Sequence, residues 1–102
     1  MKSTDVVDIY HQNYFLNAVD GYREFLNFDG TEGTLFDRYK RNIDALDLKP
    51  SENFLEIGCG RGEIVMYHAK SGGYSMGVDY SSDAIALAIQ KRNELCLDCF
   101  FL

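Results

Sequence analysis

Apolar residues in the first 26 positions recur at roughly helical spacing: Val6, Ile9, Tyr10, Tyr14, Val19, Tyr22, Phe25 and Leu26. A break is expected near Asn13 or Gly21. The stretch NFDGTEGT, residues 27–34, holds two glycines and reads as a loop. Thr34 then opens T-L-F-D, a capping-box pattern with Asp37 three residues on. Leu35, Phe36, Tyr39, Ile43 and Leu46 follow at helical spacing and predict an amphipathic helix over 35–47, which Pro50 stops.

From residue 53 the pattern changes. NFLEI (53–57) reads as a short strand, and EIVMYHAKS after the glycines as a helix that Gly72 and Gly73 end. YSMGVD (74–79) is a second strand. Ser81 or Ser82 can cap a helix through DAIALAIQKRN, and the apolar tail LCLDCFFL supplies a third strand. Strand, helix, strand, helix, strand implies parallel pairing with right-handed crossovers, an α/β fold.

Composition is that of an ordinary globular domain, with 46% hydrophobic and 25% charged residues in a chain of 102. Sixteen acidic residues against ten basic ones give a net charge of −6, which argues against a grip on nucleic acid by electrostatics alone. No apolar run approaches the roughly 18 residues of a membrane span. The acidic, polar start MKSTDVVD does not resemble a secretory signal, so the expected compartment is cytoplasmic. Three cysteines, Cys59, Cys96 and Cys99, fit reduced thiols. Cys96 and Cys99 form C-x-x-C, yet no second pair or nearby histidine completes a metal site.

The chemistry concentrates at FLEIGCGRGE. In a parallel sheet, ligands bind beyond the carboxyl ends of the strands, where backbone amides are exposed. Gly58, Gly60 and Gly62 stand there, with Glu56 ahead of them. Asp79 closes the second strand 21 residues after Gly58, where a carboxylate can accept both hydroxyls of a ribose. A dinucleotide fingerprint fails because Glu63 replaces its third glycine and would repel a pyrophosphate, and no phosphate-binding G-K-S or G-K-T follows.

The E-x-G-x-G-x-G pattern followed by GVDYS resembles motifs I and II of the class I S-adenosylmethionine-dependent methyltransferases, over residues 34 to about 102. The resemblance implies a partial Rossmann-like methyltransferase fold of three parallel strands with flanking helices and an N-terminal helical extension. Residues 1–33 would form that extension and its loop, and 34–102 the cofactor-binding half. It implies S-adenosyl-L-methionine as cofactor, with Glu56 near the cationic amino group of its methionine part. Gly58, Cys59, Gly60 and Gly62 would form the backbone floor, Asp79 would hold the ribose hydroxyls, and Tyr80 would pack on the adenine. The cofactor is a sulfonium cation without phosphate, so Glu63 is tolerable.

Plainer readings stand beside these. The glycines can make a tight corner, Asp79 can cap the next helix, and Tyr80 can be a surface aromatic. Tyr10, Tyr14 and Phe15 suit a core stripe better than a lid over the pocket. Arg38, Lys40 and Arg41 read as a solvated helix face, and Arg61 has no evident task. The family's sheet has seven strands and only three are expected here, so no catalytic residue is assigned and the methyl acceptor, expected to be a small molecule, is not named. The first strand would present an open edge and bare apolar faces, which a homodimer, a second chain or the N-terminal helices would cover. A non-catalytic interaction module is therefore the alternative function.

Overall fold

Four residues with alternating burial, Phe54–Ile57, form strand β1, and Ser75–Val78 form β2 beside it. They belong to a computed structural model that describes residues 22–102. The expected break near Asn13 or Gly21 and the aromatic residues Tyr10, Tyr14 and Phe15 lie outside the described residues. Within them the order is helix α1 (Tyr22–Asn27), a 3₁₀ turn (Glu32–Thr34), α2 (Asp37–Leu46), β1, α3 (Glu63–Lys70), β2, α4 (Ser82–Leu95) and β3 (Phe100–Phe101).

The strands form one parallel sheet in the order β1-β2-β3. Phe54 to Ile57 pair with Ser75 to Val78, and Met76 and Gly77 pair with Phe100 and Phe101. Backbone bonds continue past β3: Leu102 N–H donates to Gly77 O at 3.0 Å, and Asp79 N–H donates to Leu102 O at 3.1 Å. Right-handed crossovers put α3 and α4 on the same face. There Phe54 meets His68 edge-on at 5.9 Å, and the Ser75 hydroxyl donates to Val65 O at 2.7 Å. Ile64, Val65 and Met66 of α3, Ala84, Leu87 and Ala88 of α4, and Phe25 and Phe28 from the N-terminal side fill this core. His68 is a core residue whose Nε2 lies 2.6 Å from Glu52 O.

The expected capping box at Thr34 does not form. Helix α2 starts at Asp37, and its cap residue Phe36 makes no side-chain hydrogen bond. Thr34 ends the 3₁₀ turn and donates its hydroxyl to Asp29 Oδ1 at 2.8 Å. Asp29 also accepts from the Thr31 hydroxyl at 2.6 Å and the Thr31 N–H at 2.9 Å. These bonds, those from Thr31 first, lower its carboxyl to about 2. A nearby acid thus captured the hydroxyl that a helix start would have used. The other end of α2 stops ahead of Pro50, because Asp47 turns left-handed (φ 47°) and its N–H bonds Ile43 O. Of the two serines expected to start α4, Ser81 caps it, its side chain accepting the Ala84 N–H at 3.2 Å. Among the described residues no helix is long and apolar enough to cross a membrane, and no cluster of His, Cys, Asp and Glu could hold a metal ion.

Candidate cofactor site

The turn after β1 bends through three glycines in the left-handed region, Gly58 at φ 75°, Gly60 at 57° and Gly62 at 80°. Side chains rarely adopt that backbone without strain. The Gly58 and Cys59 amides both donate to Val78 O, at 2.7 and 3.0 Å, and fasten the turn to the end of β2. Asp79 follows there. Its Oδ2 accepts the Gly60 N–H at 2.9 Å and its Oδ1 accepts the Ser81 N–H at 2.9 Å. The acid therefore lies against the glycine turn, while the α4 capping bond comes from Ser81. A carboxylate has about four lone-pair directions, so two remain for hydroxyl donors.

The three glycines divide between two tasks. A methyl group added at Gly58 or Gly60 would meet nothing within 4 Å, so the main chain there is open to a ligand. At Gly62 the same atom would fall 2.4 Å from Phe101 Cε1 and 3.2 Å from Ala88 Cβ. Gly62 is needed for packing the start of α3 against β3 and α4. Cys59 turns its side chain down onto Gly77, and burial, first among several causes, pushes its thiol up to about 12. It serves the turn with its backbone, whose N–H donates to Val78 O. Tyr80 is exposed, with its ring accessible to a planar partner.

Two carboxylates lie behind the turn. Glu56 Oε1 is buried and has no hydrogen-bond partner among the described residues, and the same holds for Glu63 Oε2. Burial first, then the charges of Glu63 and Asp79, push the Glu56 carboxyl up to about 7. Burial raises Glu63 as well, while Arg61 pulls it back down. An acid raised above its unfolded value of 4.5 makes the folded chain hold more protons than the unfolded one between about pH 4.5 and 7. Stability should therefore fall as pH rises through that window. Glu56→Gln is expected to flatten the fall by on the order of 1–3 kcal/mol, allowing for partial exposure. Thermal melts of both proteins from pH 5 to about 8 check this; parallel curves would contradict it.

Sequence reasoning left Arg61 without a task, and the structure supplies one. The side chain is 2% exposed, its Nε sits 3.8 Å from Glu63 Oε2, and its guanidinium lies 5.2 Å from the Phe25 ring centre. Lys91 of α4 approaches the same ring at 5.1 Å and donates to Leu26 O at 3.2 Å. Arg61 thus ties the glycine turn to α1. The placement of Phe25 above it depends on a contact 36 residues apart in sequence, which no local spacing signals.

No protein-family model matches the chain, and no curated protein matches it in sequence at a significant level. Solved structures do resemble it. A protein from work on the conversion of a disulfide bond into a thioacetal group during echinomycin biosynthesis aligns with a TM-score of 0.55 and 29% identity, over 65% of this chain and 26% of its own. YjhP from E. coli aligns with a TM-score of 0.55 and 26% identity, over 67% of this chain and 29% of its own. An S-adenosylmethionine-dependent methyltransferase from Clostridium acetobutylicum ATCC 824 is more remote, at a TM-score of 0.49 and 16% identity, over 96% of this chain and 35% of its own. The chain thus spans 26% and 29% of the length of the first two. Its architecture, three parallel strands with flanking helices, is a partial α/β fold shared with the first two of these structures.

Proposed function

We propose that the chain is the S-adenosylmethionine-binding part of a methyltransferase whose acceptor is a small molecule. The observation that carries this reading is the Asp79 carboxylate held against the Gly60 N–H beside an open turn. The donor set suits a cationic nucleoside without phosphate. Asp79 offers its spare lone pairs to two ribose hydroxyls, and Gly58 and Gly60 let the ligand approach bare main chain. The unpartnered Glu56 Oε1 suits an ammonium group, which would draw the carboxyl back toward its charged form. Tyr80 offers an exposed ring for the adenine.

The chemistry such a cofactor supplies is an electrophilic methyl group on a sulfonium sulfur. The described residues contribute binding and orientation of the nucleoside end, and no residue is assigned to the acceptor. Methyl transfer depends largely on alignment and exclusion of water, so this chain alone is expected to bind cofactor better than it turns over.

Calorimetric titration of the folded chain with S-adenosylhomocysteine and S-adenosylmethionine tests the reading. Binding between about 1 μM and 1 mM is expected. Absence of heat at millimolar ligand, from a sample with a cooperative thermal melt, would reject it.

A second reading, a non-catalytic interaction module, is favoured by the bare face of the sheet. It predicts a specific complex without methyl transfer to any acceptor.

A further inference from the structure

The sheet face turned away from α3 and α4 is apolar on every strand. Register and alternation place Leu55 and Ile57 of β1, Met76 and Val78 of β2, and Phe100 of β3 on it, with Leu102 continuing the pattern. Leu55, Ile57, Phe100 and Leu102 are 56%, 81%, 58% and 70% exposed, and Met76 and Val78 are only partly covered. The opposite face, with Phe54, Ser75, Gly77 and Phe101, is packed under helices. Parallel sheets occur almost only with both faces covered, because their strands are apolar on both sides. Among the described residues, this one is covered on one side.

We propose that the bare face is a self-association surface whose occupant is a second copy of this chain, stacked sheet on sheet about a two-fold axis. Three considerations favour a copy.

The first is area. Each strongly exposed side chain offers on the order of 100 Å² of apolar surface, so the six residues present roughly 500 Å². That is at the upper end of what monomers leave bare, and two copies together would bury about 1,000 Å², the lower bound for a specific interface and the size of a weak, reversible one.

The second is charge. Two chains of net charge −6 repel at a distance, yet none of the six residues is charged, so the contact would close without burying an ion.

The third is shape. Two twisted sheets pack at about 10 Å with interdigitating side chains, and a flat row of Leu, Ile, Met, Val and Phe suits its own copy in that arrangement. An added strand from another protein would instead meet the β1 edge and leave most of this face bare. The proposal does not rest on the cofactor reading, since Asp79, Glu56 and the glycine turn are not among these six residues.

Sedimentation velocity and light scattering on the full chain, between roughly 1 and 200 μM, test it. A monomer–dimer equilibrium in that range is expected. Phe100→Lys and Ile57→Lys should each weaken the dimer about tenfold or more, and Leu26→Ser, exposed but off this face, should leave it unchanged. Leu102→Lys decides the matter if either of the first two fails to fold, because Leu102 lies beyond the last strand residue and is exposed. A monomer at every concentration would overturn the proposal. A dimer that survives Phe100→Lys and Leu102→Lys would overturn it equally, by placing the contact elsewhere.

Discussion

Asp79→Ala should reduce S-adenosylhomocysteine affinity by about 100-fold or more, the largest effect expected of any single change at the site. In the proposed function the carboxylate accepts two ribose hydroxyls, and hydrogen bonds to a charged group contribute about 1.5–3 kcal/mol each. Removing both therefore takes away roughly 3–6 kcal/mol of binding, and a tenfold change in affinity corresponds to about 1.4 kcal/mol. Asp79 also organises the turn through the Gly60 and Ser81 amides, so loss of shape and loss of contact must be separated. Asp79→Asn does this. Its carbonyl oxygen can still accept the Gly60 N–H, while its amide group gives up the bond from the Ser81 N–H and cannot accept a hydroxyl. If Asp79 only shapes the turn, Asp79→Asn should bind ligand like the natural chain. If it grips the sugar, Asp79→Asn should lose most of the affinity while its stability falls by no more than the one lost Ser81 bond, about 0.5–1.5 kcal/mol. Calorimetry with both variants, alongside thermal melts, distinguishes the two.

Gly62→Ala should be the most destabilising small substitution in the turn. The added carbon would lie 2.4 Å from a buried Phe101 ring atom, on a residue whose φ is 80°. Overpacking of a filled core costs about 1–3 kcal/mol, and the left-handed backbone adds about 1–2 for a residue with a side chain. Roughly 2–5 kcal/mol is a large part of the stability of a domain this size. Gly58→Ala meets no neighbour and should cost only the backbone share, yet it would thicken the floor presented to a ligand. Urea denaturation of the two variants provides the comparison. Equal midpoints would mean that Phe101 has another place to go and that the distinction drawn between these glycines is wrong.

That distinction shows what the sequence makes legible and what it hides. Three glycines at alternate positions announce a tight, left-handed turn, and β1, α3 and β2 follow with ends close to those their spacing predicts. The neighbour each glycine faces is a tertiary fact. Gly58 and Gly60 look outward, whereas Gly62 looks at Phe101, 39 residues later. The position of Asp79 against the turn could be read, because an acid that ends the neighbouring parallel strand comes level with those glycines. Thr34 could not, because its hydroxyl had two suitors and the loop acid Asp29 won over the helix start. Arg61 was opaque for a similar reason. An arginine among glycines shows no task until Phe25 is brought over it from a distant part of the chain and Glu63, two residues on, is buried beside it. The bare sheet face was foreseeable in kind from a three-strand count, but its uniformly apolar make-up emerged only with the register.

The backbone of Asp79 is itself moored to Leu102, whose carbonyl receives its N–H. The acid beside the glycine turn therefore depends on the residue that follows β3 for its alignment. A variant cut after Phe101 would lose that mooring, and it is expected to take up ligand more weakly while still melting cooperatively.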